Sequence, residues 1–307
     1  EAGGGDCLMA GVKEIKAHIE SVLDTQKITQ AMYLIASAKM RKAKEGLDRT
    51  RPYFNAVQAE IKRIFRTDER VENRYFYPLE GKLPDGGAVG CLVVTADKGL
   101  AGAYNQNVIK AAKEVLDQKR GEKELFVVGE YGRQYYKRHD IPIRRSFLYT
   151  AQNPTVQRAR EIANVLLDAY DTGKLKKIYI IYTDMKNGLK SEVRVTRLLP
   201  FHRAQFSSEH SEEHAVFSFE PSIGEVLDNI IPSYLTGFIY SALIDSFCCE
   251  QNARMEAMDA ASRNAQKLLD ELSLQLNHVR QGAITQEITE ISAGAQAQRR
   301  NSGEETV

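Results

Sequence analysis

VKEIKAHIESVLDTQKITQAMYLIASAKM, Val12 to Met40, is the stretch whose periodicity decides the fold. Val12, Ile15, Ile19 and Val22 recur at alternating short intervals, which places them on one face of a helix. The pattern slips after Val22 and resumes with Ile28, Met32 and Ile35. Ala43, Leu47, Thr50, Phe54, Val57, Ile61 and Ile64 carry it on, with no strand signal from Gly11 to about Arg66. A heptad-like seam with one discontinuity predicts a coiled coil whose winding changes locally. Pro52 is the one interior breaker and is expected to kink the helix, because it removes a backbone donor and crowds the preceding turn.

The other end of the chain mirrors this pattern. Glu220-Pro221-Ser222 reads as a helix start. Ile223, Val226, Leu227, Ile230, Tyr234, Leu235, Phe238 and Ala242 then share one broad face, with Pro232 a second expected kink. Ala261, Ala265, Leu268, Leu272, Gln275 and Val279 extend the stripe. Helical to Ala297, this segment spans roughly 110 Å at about 1.5 Å per residue, more than a globular domain of this size holds. The two terminal segments are therefore predicted to pair as an antiparallel coiled coil. Between Ser246 and Ala265, Ala, Ser, Cys and Met predominate, which suits close helix approach or a slim surface for a partner. Near the end, GAITQEITEISAGAQ (Gly282 to Gln296) carries Ile284, Ile288 and Ile291 at helical spacing among Thr, Gln and Glu. A helix that polar, placed that late, needs other surfaces around it to stay ordered.

The middle reads differently. AVGCLVVT from Ala88 is a continuous apolar run of strand length, followed by an amphipathic helix from Asn105 to Lys119. ELFVVG is a strand, YGRQYYKRH a short helix, PIRRSFLY a weaker strand, and TVQRAREIANVLLDAYDTG a helix ending at Gly173. KIYIIYTD is a strand, and SEVRVTRLLPF alternates as an exposed or edge strand does. The fold class that follows is α/β: a long antiparallel coiled coil of N- and C-terminal helices plus a Rossmann-like α/β domain with a mainly parallel sheet. Expected boundaries are an extension or expression scar over 1–8, a helical arm over 9–70, the α/β domain over 71–219, a second arm over 220–300 and a flexible tail over 301–307. Within the domain, QFSSEHSEEHAVF (Gln205 to Phe217) reads as a mobile polar connector.

Composition narrows the function classes. The net charge of +1 gives no bulk field toward nucleic acid or anionic membrane. Cys7, Cys91, Cys248 and Cys249 form no metal or redox spacing and read as free thiols in a reducing compartment. The first residues lack the basic and apolar regions of a secretory signal. IIPSYLTGFIYSALI, flanked by Asp228 and Asp245, is shorter than the ~20 residues a membrane span needs, so it is read as a packing helix.

Catalytic signatures are sparse. TADKGLAGAYNQN follows the first strand and precedes a helix, where a nucleotide fold places its phosphate loop. Its glycines, Gly99 and Gly102, fit neither dinucleotide nor P-loop spacing, and a tight turn with a helix cap is the better reading. His210 and His214 lie four apart in a polar loop without the H-E-x-x-H arrangement, so no metal is assigned. No cofactor is expected. The basic run from Lys39 to Arg51 reads first as a solvated coiled-coil face and second as a patch for acidic protein surfaces. Nucleic acid comes third, because no aromatics interleave with the charges.

EIKAHIESVLDTQKITQAMYLIASAKMRKAKEGLDRTRPYF, LVVTADKGLAGAYNQNVIKAA and ITQEITEISAGAQ together resemble the gamma subunits of F-type ATP synthases, in the family's order and from about Met9 to Ala297. The last carries Thr285, Glu287, Glu290, Gly294 and Ala295 at the family's spacing, while Ala101 stands where Cys or Ser is common and no thiol-bearing insert of the chloroplast type is present.

The resemblance implies a non-catalytic rotor of the central stalk. It turns inside the ring of alpha and beta subunits and couples transmembrane proton flow to ATP synthesis or hydrolysis on beta. It further implies the epsilon subunit and the membrane c-ring as partners, no direct membrane span, and a peripheral place on the cytoplasmic face of a bacterial plasma membrane. By the same resemblance Met32, Arg280, Gln281, Thr285, Glu287 and Glu290 match coupling or beta-contact positions, Arg254 matches a position coupled to them, and Lys39, Arg41 and Lys42 form the basic face beside Met32. The competing reading from the residues alone is a nucleotide-dependent α/β enzyme with helical oligomerisation arms.

Overall fold

A computed structural model describes residues 4–67, 70–78, 88–118, 121–148, 150–186, 190–206 and 218–304. In chain order the elements are α1 (Gly4–Thr67), β1 (Ala88–Val94), α2 (Tyr104–Gln118), β2 (Lys123–Val128), α3 (Glu130–Arg138), β3 (Arg145–Phe147), α4 (Val156–Asp171), β4 (Leu175–Lys186), β5 (Lys190–Leu199) and α5 (Ile223–Glu304). They form two compact units, one of Glu1–Leu34 with Ala257–Val307 and one of Ile35–Glu256, and α1 and α5 contribute to both. His210, His214 and most of the polar connector lie outside the described residues.

In the larger unit the described strands form one sheet in the order β3-β2-β1-β4-β5. Pairing is parallel from β3 to β4, and β5 joins β4 antiparallel at the edge. The alternation of side chains along β1 explains why its whole run is apolar. Val89, Cys91 and Val93 face a core built with α2 and α3, whereas Leu92 and Val94 face a core shared with α4 and α5. Gly90 sits where a Cβ would come 2.8 Å from Leu175 Cδ1, so the Leu175 side chain fills the space above this glycine. Local signals set the element ends. Thr155 Oγ1 accepts the Arg158 N–H at 3.3 Å to start α4, and Gly173 at φ 73° ends its last turn. Ser222 Oγ accepts the Glu225 N–H at 3.2 Å to start α5, which places its first turn at Ile223.

Leu227, Ile231, Leu235, Ile239 and Leu243 recur every four residues and are all buried. A strict four-residue step drifts around a helix, so the buried face winds until α5 is covered on nearly every side between Leu235 and Gln251. Of the two uses expected for the small residues there, Ser246, Cys248 and Cys249 serve close packing in the interior and offer no surface. An 18-residue window of α5 is apolar enough by composition to cross a membrane, at mean hydropathy 1.2, yet 61% of it is buried within the protein. That burial marks a core helix. Where α1 meets α5, Gly237 carries no side chain because a Cβ would lie 2.6 Å from Phe54 Cγ. The two proline positions, Pro52 and Pro232, are both inside continuous helix.

In the smaller unit α1 and α5 run antiparallel, with Val22, Ala265, Leu269 and Leu272 buried together and Ile15 and Ile19 packed on them. Gln26 Nε2 donates to Gln266 Oε1 at 3.0 Å across the pair. Two details of the expected seam are overturned. The inward residues of α1 after Val22 are Thr29 and Ala36, while Ile28 and Ile35 are 60% and 54% exposed. Val22, Thr29, Ala36 and Ala43 lie seven apart, so the seam keeps its period by accepting small side chains. Thr29 tolerates burial because its hydroxyl donates to the Gln26 carbonyl at 2.8 Å. On α5 the inward residues are Leu269 and Leu276, where the sequence reading placed Leu268 and Gln275. Helix also persists to Glu304, beyond the boundary at 300 and into the segment read as a tail.

Gly237→Ala is expected to lower stability by about 1–3 kcal/mol, because overpacking against Phe54 outweighs the gain in helix propensity of about 1 kcal/mol. Urea unfolding of the full chain checks this, and a variant as stable as the parent would contradict it.

Candidate functional site

The crevice at the carboxyl ends of β1 and β4, where strand order reverses, is where an open α/β sheet accepts a ligand. Here α5 packs over it, and an open cavity of about 690 Å³ between α2, β5 and α5 remains, with Tyr104, Thr183 and Cys249 in its lining. Tyr104 opens α2 and is buried beside Ala96, Ala101 and Cys249 of α5. Ser246 Oγ accepts the Thr183 N–H at 3.2 Å and donates to the Thr183 carbonyl at 3.4 Å, so α5 takes the backbone groups that a ligand would use. Burial pushes the Tyr104 phenol far above its ordinary pKa, and the Cys249 thiol up to about 11. Neither group ionises near neutral pH.

The first amides of α3 are equally committed. The Glu130 N–H goes to Asp97 Oδ1 at 2.8 Å and the Gly132 N–H to Thr95 Oγ1 at 3.0 Å. Those of Tyr131 and Arg133 go to the carbonyls of Ala96 and Gly129. A Cβ on Gly129 would stand 2.7 Å from the Ala96 carbonyl oxygen, so the glycine serves close helix–strand packing and leaves no gap for a phosphate. Asn105 Oδ1 accepts the Ala96 N–H at 2.9 Å, completing the turn-and-cap reading of TADKGLAGAYNQN. One oxygen of Asp97 is thus spent on structure, while its Oδ2 is buried without a hydrogen-bond partner among the described residues.

Arg254 lies against this same turn. Its Nη2 donates to the Gly99 carbonyl at 3.1 Å and pairs with Glu250 Oε1 at 2.7 Å, with only 11% and 8% of the two side chains exposed. Burial raises the Glu250 pKa, and Arg254 opposes the shift. Leu100 at φ 60° and Gly102 at φ 52° form the apex of the turn, and Leu100 is exposed there. The structure therefore groups Arg254 with Glu250 and Gly99, within the larger unit.

The other positions singled out in sequence fall on helix surface. Lys39, Arg41 and Lys42 are exposed on α1, and Met32 is half-buried. Arg280, Gln281, Thr285, Glu287 and Glu290 are exposed on successive turns of α5. Their described hydrogen bonds stay within the helix. Thr285 Oγ1 donates to the Gln281 carbonyl at 2.9 Å, Thr289 Oγ1 to the Thr285 carbonyl at 2.7 Å, and Gln286 Nε2 to Glu290 Oε1 at 3.0 Å. Alongside them runs a feature the sequence reading noted without placing. Ile284, Ile288 and Ile291 form one stripe that points away from the Leu272, Leu276 and Ala283 seam, at 53–67% exposure. The available signal was the phase of these isoleucines, one residue off the heptad of the seam.

Sheet and helices define a class: a coiled-coil protein with a Rossmann-like sheet whose switch point carries its own C-terminal helix. The model of the family described as ATP synthase matches residues 11–298. The ATP synthase gamma chain of Caldanaerobacter subterraneus subsp. tengcongensis is 45% identical over 295 residues, covering 93% of this chain and 99% of that one. The gamma chain of Ruminiclostridium cellulolyticum is 39% identical over 93% of this chain and 98% of its own length. In fold, the chain is similar to one in the Euglena gracilis mitochondrial ATP synthase structure of OSCP, F1 and c-ring, with a TM-score of 0.64, 16% identity and coverage of 95% and 96%. The chain belongs to the ATP synthase gamma-chain family.

Arg254→Ala is expected to cost about 3 kcal/mol, because it strands the Glu250 carboxylate in a covered site. Glu250→Gln added to it should recover part of the loss. Chemical denaturation of the two variants and the parent tests both statements, and additive losses would contradict the pairing.

Proposed function

We propose that this chain is the central-stalk rotor subunit of an F-type ATP synthase, turning within the ring of alpha and beta subunits and coupling transmembrane ion flow to ATP synthesis or hydrolysis on beta. It acts without a catalytic site of its own, on the cytoplasmic face of the membrane, with epsilon and the c-ring as its other partners. One observation carries this reading beyond family membership: helix surface on α5 that its own chain leaves uncovered, with Ile284, Ile288 and Ile291 exposed between Arg280, Gln281, Thr285 and Glu287. Three large apolar side chains in one stripe favour contact with another protein. The amides that open α3, already bonded to Asp97, Thr95 and backbone carbonyls, weigh against a phosphate there and so against the nucleotide-dependent enzyme.

The mechanism is a population shift. A helix pair with unlike faces meets three equivalent catalytic sites differently, and so biases each toward a different conformation. By reciprocity, nucleotide binding at those sites biases the orientation of the pair, which is the origin of torque. In this reading Met32, Arg280, Gln281, Thr285, Glu287 and Glu290 contact the ring, Lys39, Arg41 and Lys42 present cations to acidic surface, and Arg254 holds the turn at Gly99. The helical arms, 9–70 and 220–300, act as the shaft, and 71–219 as the body that receives epsilon and the c-ring.

Co-expression with alpha and beta subunits, followed by purification and mass spectrometry of what is bound, is the direct test. Recovery of this chain alone would overturn the proposal. Ile284→Asp with Ile288→Asp should leave the thermal stability of the isolated chain within about 0.5 kcal/mol, as exposed positions do. The same pair should weaken association with alpha and beta at least tenfold, and unchanged association would remove the stripe from the interface.

A further inference from the structure

The open cavity of about 690 Å³ lies within the larger unit and has the size of a small-ligand site. Thr183 of β4 is part of its lining and is 3% exposed. Strand alternation puts its side chain on the face of Ile181, and Val193, its partner in register, packs on the same core with α2. That is the face the cavity occupies. Thr183 Oγ1 is buried without a hydrogen-bond partner among the described residues, a vacancy that costs free energy until a ligand fills it. Burial holds the neighbouring Tyr104 and Cys249 protonated, so the floor carries hydroxyl and thiol groups but no charge. Charge lies on the two helical walls. Glu114 of α2 has no hydrogen bond or ion pair among the described residues, and Glu256 of α5 accepts only from Asn252 Nδ2, at 2.8 Å. Lys110 is the one cation in the described lining, against Glu114, Glu192 and Glu256, and it forms no ion pair with Glu114 one turn away. Ala111, Val193 and Ala253 supply apolar surface between these groups.

We propose that this cavity binds a linear alkyl polyamine, whose N–H groups donate to Glu114, Glu256 and Thr183 Oγ1 and whose methylene chain lies on Ala111, Val193 and Ala253. Three observations select that chemistry. The excess of carboxylate over lysine concentrates cations in the cleft and repels phosphates and carboxylates. The vacant hydroxyl on the buried floor accepts an amine N–H, which a quaternary ammonium could not offer. The acids stand on separate helices with alanine and valine between them, which suits charges spaced along an alkyl chain. A metal ion needs oxygens converging on one point, and among the described residues no such group of three side chains exists. The inference rests on this cavity and is independent of the rotor reading, because the isolated chain contains every group it uses.

The test is calorimetric titration of spermidine into the purified full chain at physiological salt, with thermal unfolding alongside. Spermidine is expected to bind one site per chain and to raise the melting temperature. Glu114→Gln and Glu256→Gln should each weaken binding about tenfold while leaving the melting of the free chain in place, since both positions are exposed. Thr183→Val removes the unpaired hydroxyl at nearly constant volume. It should melt at or above the parent and bind spermidine about threefold more weakly. Magnesium at equal charge concentration should neither raise the melting temperature nor displace spermidine. Heats no larger than dilution, binding that magnesium removes in proportion to its charge, glutamine variants that bind as the parent does, or a Thr183→Val chain that binds unchanged or melts lower would each overturn the proposal.

Discussion

The structure depends on α5 lying across the carboxyl ends of β1 and β4. Ser246 binds both backbone groups of Thr183, and Tyr104, Ala101 and Cys249 close over the junction. A helix buried on nearly every side between Leu235 and Gln251 cannot shift without exposing several large side chains, each worth ~1.5–3 kcal/mol when fully covered. The same contact narrows the ligand crevice of the sheet and fixes α5 to the domain. A nucleotide-binding architecture becomes a mount for a helix by this one change of occupant.

The mount also explains where polar chemistry survives. Asp97 and Thr95, at the place where a ligand-binding sheet keeps its functional groups, satisfy the amides of α3. Glu250 and Arg254 pair in cover and cap the Gly99 carbonyl, so the turn is held by α5 as well as by its own glycines. Buried charge in this protein sits where helices meet the sheet. Exposed charge and exposed isoleucine lie on α1 and on the last turns of α5, where the chain supplies no cover of its own.

Much of the architecture was legible because it rests on period. The three-four spacing from Val12 to Ile64 and the strand–helix alternation of the middle both follow from one-dimensional patterns, and the strand order reproduces them. Thr29 and Ala36 were misread because side-chain size was weighted above the heptad count, and large residues at 28 and 35 drew the seam outward. Leu268 and Leu269 are neighbours of one residue type, so nothing but phase separates the exposed one from the buried one. Of the site residues, those on α5 from Arg280 to Glu290 shared a helix in sequence already. Glu250, one turn before Arg254, follows from helical spacing, whereas its other partner Gly99 does not, being 155 residues away.

Sequence alone determined two long helices, an α/β domain between them and the absence of a recognisable phosphate motif, since each is a matter of local spacing and residue type. Tertiary structure alone decided that α5 packs over the switch point, that the isoleucines of the last turns face outward, and that Arg254 meets the Gly99 carbonyl. Those facts depend on which surfaces remain once distant segments have packed, and burial of that kind leaves no trace in the order of residues.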